Sequence, residues 1–370
     1  MQLRLNIGPG KTAEIFTGPS VFKELNDWLG EQSSQTDSIF ILTDKRTSSC
    51  CLEKLISVVP SLNQADVLEI PEGEKFKSVK SAEHLWNVLA GKGASRHSLL
   101  VNLGGGVITD LGGFVASTFK RGIPFIHVPT TLLGMVDAAI GGKTGINLGD
   151  IKNQVGTFQN PDAIFISTEF LGSLDSDSIM SGFAEIIKTA LVADHLLWEE
   201  LNSMRIENLL KRQSYDKIWE EIVYKTVAIK CYIVEQDFRE INFREILNFG
   251  HTIGHAFESL TLKKIRTPLK HGHAIALGMV PESHLSVRKT GLELRDRDAI
   301  VQMILPKYKY YPLNNEDVDF IMEFIGHDKK RRASGTRFSL LRSPGTAIPG
   351  EHCDPSEIIE AIDFYRSLER

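Results

Sequence analysis

Along the first part of the chain, from Gln2 to about Ser167, short apolar runs alternate with longer stretches of helical period. The runs 38–43, 65–70, 98–103, 124–128 and 163–167 are five or six residues long and read as strands. Between them, 21–31, 51–59 and 79–92 carry apolar residues at helical spacing. Alternation of this kind predicts a Rossmann-like α/β domain over residues 1–171, a parallel sheet covered by helices. Beyond Leu171 the pattern changes. Long amphipathic stretches at 178–194, 196–211, 218–235, 253–260, 274–290 and 357–368 predict a mostly α-helical second domain over residues 172–370. No internal repeat or low-complexity tract interrupts either half.

Length agrees with that division, because 370 residues exceed what one hydrophobic core usually supports. Lys and Arg number 42 against 47 acids, a net charge of −5, which argues against a nucleic-acid or anionic-membrane binder. Any cluster of cations therefore needs a local reason. The four cysteines have no zinc-site spacing, and adjacent Cys50 and Cys51 form no easy bridge, so a reducing cytoplasm is the expected home. The chain starts without the apolar segment of a signal peptide, and no run of 18 apolar residues occurs, so no membrane span is expected.

The loops at strand ends carry the first candidate chemistry. Leu103-Gly104-Gly105-Gly106 follows a strand and leads into 107–114, a helix start. Glycines there let backbone amides approach a pyrophosphate. Thr109 stands where the usual dinucleotide fingerprint has its last glycine, so the turn reads either as a cofactor site or as an ordinary connection. Asp44, at the end of an earlier strand, suits a ribose hydroxyl or a helix cap. The loops 71–77 and 129–133 are expected on the ligand side of the sheet. Gly141-Gly142-Lys143-Thr144 is not a P-loop, since Asp137 occupies the required glycine position, yet a lysine on a glycine turn suits an anion.

In the second half Arg244, Asn248, His251 and His255 recur at intervals of four, three and four, which stacks them on one helical stripe. A break near Phe249-Gly250, with Asn248 capping a new helix, fits equally. Ser181 to Lys188 sets Glu185 and Lys188 on one face, ordinarily a surface ion pair. Glu185 with His251 and either His255 or His271 would complete a carboxylate and two-imidazole set, a catalytic zinc arrangement with an open position.

Six motifs in order, Gly-Gly-Gly-Val-Ile-Thr-Asp, Val-Pro-Thr-Thr-Leu-Leu, Gly-Gly-Lys-Thr, Ala-Glu-Ile-Ile-Lys, Asn-Phe-Gly-His-Thr-Ile-Gly-His and His-Asp-Lys-Lys, closely resemble the 3-dehydroquinate synthase family of sugar-phosphate cyclases. The resemblance spans about residues 72–330. It implies metal ligands Glu185, His251 and His271, for a divalent ion, Zn or Co. Residues implied for substrate or catalysis are Arg121, Asp137, Lys143, Asn153, Lys188, Lys230, Glu240, Arg244, Asn248, His255 and Lys329. Those implied for NAD are Asp44, Glu74, Lys77, Gly105, Gly106, Val107, Asp110, Thr130, Thr131, Lys143 and Lys152.

The implied substrate is a small-molecule sugar phosphate, 3-deoxy-D-arabino-heptulosonate 7-phosphate. Its conversion to 3-dehydroquinate and phosphate runs by transient oxidation, phosphate elimination, reduction and intramolecular aldol closure. That makes the expected enzyme a phosphorus-oxygen lyase of the shikimate pathway. A phosphate and a carboxylate on one substrate account for Arg121, Lys143, Lys188, Lys230, Arg244 and Lys329 in an acidic protein. Arg121 in the family reaches a neighbouring subunit's site, which implies a homodimer. Ile151 replaces a frequent glycine, Lys120 is unusual before Arg121, and the 255–271 interval is slightly long, so loop shape is where this chain departs. The alternatives are another cyclase, such as 2-deoxy-scyllo-inosose synthase, a metal-dependent polyol dehydrogenase, or a non-catalytic sensor.

Overall fold

The computed structural model describes residues 2–7, 11–149, 151–210, 217–264, 268–329 and 336–369. Strand β1 (Gln2–Ile7) pairs antiparallel with β2 (Lys11–Thr17). From β2 a parallel sheet continues through β3 (Ile39–Asp44), β4 (Asp66–Ile70), β5 (Leu99–Gly104), β6 (Phe125–Pro129) and, after a separate hairpin β7 (Lys143–Leu148) and β8 (Ile151–Phe158), β9 (Ala163–Ile166). The spatial order is β1-β2-β9-β6-β5-β3-β4. Every residue of β5, β6 and β9 is buried, which is why these strands read as unbroken apolar runs.

The order reverses between β3 and β5, and an open α/β sheet binds its ligands at the carboxyl ends of the strands around such a switch point. Asp44 ends β3, the 71–77 loop follows β4, the glycine turn follows β5, and Thr130 follows β6. Helix Gly106–Thr118 is buried along most of its length, with Ile108, Leu111, Phe114 and Val115 in the sheet's core.

The chain divides into two units, Met1–Asp175 with Leu209–Phe238, and Ser176–Asn208 with Arg239–Arg370. Against a boundary expected after Leu171, the division thus falls after Asp175, and the Lys217–Gln236 helix goes with the sheet. Its apolar face, including Trp219, Ile222, Val223 and Val227, is buried, and it packs on β1 and on the Gly134–Ala138 turn.

Within the second unit the long helices are Ser176–Ala193, His251–Lys264, His271–Lys289, Leu294–Ile304, Asn315–Lys329 and Pro355–Arg366. A hairpin of β10 (Thr336–Ser343) and β11 (Thr346–Cys353) packs among them. The single helix expected over 196–211 is two, His195–Ser203 and Ile206–Leu210. Among the described residues no helix is long and apolar enough to cross a membrane.

Candidate functional site

The polar stripe of the second unit is not one helix. Phe243–Asn248 is a 3-10 turn, Phe249 leaves helical geometry at φ −55° and ψ 130°, Gly250 takes φ +80°, and a new helix begins at His251. Asn248 does not cap it: the Gly250 and Ile253 N–H groups at the helix start go to Glu282, and the Asn248 amide donates to Glu240 Oε1 at 2.8 Å. The break turns His251 toward Glu185.

Glu185 is fully buried on the Ser176–Ala193 helix, and its Oε2 pairs with the equally buried Lys188 ammonium at 2.6 Å. Its Oε1 has no hydrogen-bond donor, yet lies 3.7 Å from His251 Nε2 and 3.6 Å from His271 Nε2. Those separations are long for hydrogen bonds but match ligands on one tetrahedral ion, whose 2.0–2.2 Å bonds place donor atoms about 3.3–3.6 Å apart.

Both imidazoles are oriented by their far nitrogens. His251 Nδ1 donates to Phe249 O at 3.2 Å, and His271 Nδ1 to Glu258 Oε2 at 3.3 Å, so each Nε2 lone pair points inward. Burial, then the Lys188 charge and the adjoining imidazoles, hold His251 well below the usual histidine range, in the neutral form a metal requires. A carboxylate oxygen without a donor, facing two oriented imidazoles, fits a divalent ion. Ring nitrogens of His251, His255 and His271 also lie within 4.8 Å of one another, so His255 borders the same point from the exposed side.

Arg244 is 3% exposed on the turn before that helix, where β10 secures it: Ser339 Oγ donates to Glu245 O, and Arg337 pairs with the Glu245 carboxylate at 3.1 Å. Lys329 ends its helix, and its side chain lies outside the described residues.

In the first unit two of the nucleotide candidates, Lys77 and Asp110, share a network with Asn153. Buried Lys77 donates to Asp110 Oδ2 and to Asn153 Oδ1, each at 2.5 Å. Burial raises the Asp110 carboxyl above its usual range, and Lys77 pulls it back. Asp44 is engaged as a cap, its Oδ1 accepting the Thr47 N–H at 2.9 Å and its Oδ2 the Thr47 hydroxyl. A Cβ on Gly105 would sit 2.9 Å from Thr131 Cγ2, so the glycine lets the turn carrying Gly106 and Val107 close against Thr130-Thr131.

Lys230, 5% exposed, donates to Asp137 Oδ1 and to Asp137 O, each at 2.5 Å, which joins the Lys217–Gln236 helix to the loop before Lys143. Lys143 opens β7, exposed, and Lys152 lies partly buried on β8. Among the described residues the non-glycine positions with left-handed backbone are Lys120, Arg121, Asn153 and Glu240, so three of the four are sequence candidates. Strain of this kind concentrates at functional sites.

Three participants escape sequence reading. Glu258 orients His271, and Glu282 accepts backbone N–H groups at the start of the His251 helix. Asn147 accepts the Asn153 N–H at 2.9 Å and donates to Glu74 Oε1 at 2.8 Å. Glu282 does leave a trace, an acid on the apolar stripe of Ile275 and Met279.

Residues 67–181 match the 3-dehydroquinate synthase N-terminal model and residues 182–331 the C-terminal model. A 3-dehydroquinate synthase of Parabacteroides distasonis is 42% identical over 343 residues, 93% of this chain and 95% of that protein. One from Dehalococcoides mccartyi is 36% identical, covering 96% of this chain and 97% of its own.

Among solved structures, a 2-epi-5-epi-valiolone synthase from Streptomyces hygroscopicus with NAD+ and Zn2+ bound superposes with a TM-score of 0.85 at 23% identity, over 99% of this chain and 100% of that one. A 2-deoxy-scyllo-inosose synthase complexed with carbaglucose-6-phosphate, NAD+ and Co2+ gives 0.85 at 22% identity, over 99% of both chains. At those identities the likeness is one of fold. With both family models matched in sequence and curated relatives above 30% identity over nearly the whole length, the chain belongs to the 3-dehydroquinate synthase family.

Proposed function

We infer that this protein converts 3-deoxy-D-arabino-heptulosonate 7-phosphate to 3-dehydroquinate and phosphate, as a phosphorus-oxygen lyase acting in the cytoplasm as a homodimer. The observation that carries the reading is Glu185 Oε1, buried without a donor and facing two oriented imidazoles at 3.6 and 3.7 Å. Glu185, His251 and His271 hold a divalent ion, Zn or Co, and the strand-end network of the first unit holds NAD. When bound, these supply Lewis acidity toward substrate hydroxyls and a reversible hydride acceptor.

The remaining residues bind and orient the substrate. Lys188, Lys230 and Arg244, each at most 5% exposed, keep fixed positive charge for the phosphate and carboxylate. Lys143, Arg121 and Lys329 add to that charge, Arg121 toward the neighbouring subunit. Asn248, braced by Glu240, presents a hydrogen-bonding edge, and the exposed His255 contributes an imidazole to the substrate phosphate. Asp137, through Lys230, and Asn153, through Lys77, set the position of these ammonium groups. On the nucleotide side Asp44, Glu74, Lys77 and Asp110 face the ribose and amide ends, Gly105, Gly106 and Val107 the pyrophosphate, and Thr130, Thr131 and Lys152 complete the cradle.

The test supplies the heptulosonate phosphate with catalytic NAD and follows inorganic phosphate with and without a chelator. Phosphate release that needs both metal and NAD, without net NADH, is the expected result. NADH accumulating in step with substrate would instead identify a polyol dehydrogenase, and turnover unchanged by chelator would overturn the metal assignment.

A further inference from the structure

Glu282 sits on the His271–Lys289 helix, fully buried, and its carboxylate crosses to the other histidine-bearing helix. Oε2 accepts the Gly250 N–H at 2.6 Å, and Oε1 accepts the Ile253 N–H at 3.0 Å. The first turn of a helix has no internal acceptors for such donors. The two bonded residues bracket His251. Within the same turn the helix backbones come into contact: a Cβ on Gly278 would lie 2.3 Å from Gly250 O and 2.5 Å from Gly254 N.

We infer that Glu282 is a positioning residue for the divalent ion: anchored on the helix of His271 and bonded on both sides of His251, it sets the imidazole separation that Glu185 Oε1 bridges. This rests on the metal reading given above. Both oxygens accept, which is what two separated backbone donors require; burial pushes the Glu282 carboxyl up to about 8, and the Ile253, Gly250 and Thr252 N–H groups at the helix N-terminus pull it back toward the anion. A carboxamide of the same shape presents one oxygen and one NH2, so one of the two backbone donors loses its acceptor and meets another donor. The start of the His251 helix then relaxes. Partners one shell out from a metal typically change its affinity by about 10–100-fold when altered.

The experiment titrates Zn2+ into metal-free full-length protein against a chromophoric chelator, for wild type and Glu282→Gln, well below the melting temperature of either. The expected result is one tight equivalent in wild type and a dissociation constant raised about 10–100-fold in the variant. Phosphate release in the variant should recover toward wild type as Zn2+ is raised to saturation. A merely structural role would lower the melting temperature and leave the dissociation constant of the folded protein within twofold, which overturns the inference. Should Glu282→Gln not fold, Glu282→Asp keeps the charge on an arm one methylene shorter, and an affinity equal to wild type there overturns it too. Wild type that binds no Zn2+ overturns the metal reading itself, and is thereby told apart from a failure confined to Glu282.

Discussion

In the sheet-bearing unit the polar side chains at the strand ends are bonded to one another, whereas in the helical unit Glu185 Oε1 faces two imidazoles and bonds to neither. Lys77 spends its ammonium on Asp110 and Asn153, and Lys230 on Asp137. Glu185, His251 and His271 are oriented from behind, by Lys188, Phe249 O and Glu258, with their inward atoms unsatisfied by each other. The first arrangement is complete without a ligand and contributes to stability. On the metal reading proposed above, the second is completed by an ion, which would offset the cost of the buried carboxylate oxygen. Damage to the first should appear as lost stability and NAD affinity, damage to the second as lost metal.

The largest effect should come from Glu185→Gln. The amide keeps the shape but removes the anionic ligand and leaves Lys188 buried beside a neutral group. Metal content by atomic absorption should fall to background, and turnover by roughly 10³-fold or more, since the ion's Lewis acidity is worth several kcal/mol. NAD binding by titration should stay within a few-fold. Loss of NAD affinity equal to the loss of metal would erase the contrast between the units.

Next is a titration confined to the sheet. His127, buried on β6, accepts from the Asn102 side-chain amide at 3.2 Å once its Nδ1 is deprotonated, and burial pushes it from 6.5 down to about 3. A folded value below the unfolded one means that stability is fully present above pH 6.5 and is lost as pH falls from there through about 3. The full loss is on the order of 4–5 kcal/mol. His127→Gln, neutral at every pH, should flatten the acid limb of urea-derived stability. A wild-type curve with no slope between pH 6.5 and 4 would remove this asymmetry.

Smaller again is Lys77→Met, which strands Asp110. Breaking a mostly buried pair costs about 3 kcal/mol, and with the ammonium gone the Asp110 carboxyl, already raised by burial, rises further. A carboxyl raised in the fold binds its proton more tightly there than when unfolded, so the variant should lose more stability at pH 8 than at pH 5. Denaturant melts at the two pH values check the sign, and metal content should not change.

Much of this arrangement can be read along the chain, for reasons that differ by element. Strands β3, β5, β6 and β9 fall within a residue or two of their apolar runs because burial leaves a nearly unbroken signal, and β4, exposed at Asp66, Val67 and Glu69, is found from its buried Leu68 and Ile70. The hairpins β1–β2 and β10–β11 go unread although Gln2–Ile7 alternates polar and apolar residues strictly, because a short strand's own pattern does not name its pairing partner. The break at Gly250 is legible as one of two options, and only the left-handed backbone there decides between them.

Glu185, His251 and His271 come from three separate helices, so no local spacing joins them; the spacing alone leaves His255 and His271 as rivals. Glu258, Glu282 and Asn147 act through bonds that exist only once two distant segments meet, and a single polar residue on a helix or strand resembles a solvated one until its burial is known.

Asn147 gives the smallest and most discriminating test. Its Oδ1 holds the Asn153 N–H in a residue whose φ of +55° is left-handed, its Nδ2 holds Glu74, and its own N–H donates to Lys77 O at 2.8 Å. Asn147→Ala keeps the backbone bond and removes the two from the side chain. Both lost partners are exposed enough for water to replace the bonds, so the stability cost is about 1 kcal/mol. If that ordering is needed for NAD, affinity should fall about fivefold with metal content unchanged. Asn147→Asp separates the two bonds, because a carboxylate still accepts from Asn153 but repels Glu74. Recovery of affinity in the Asp variant assigns the effect to the Asn153 turn, continued loss assigns it to Glu74, and a change in metal content in either variant would mean that the units do not fail independently.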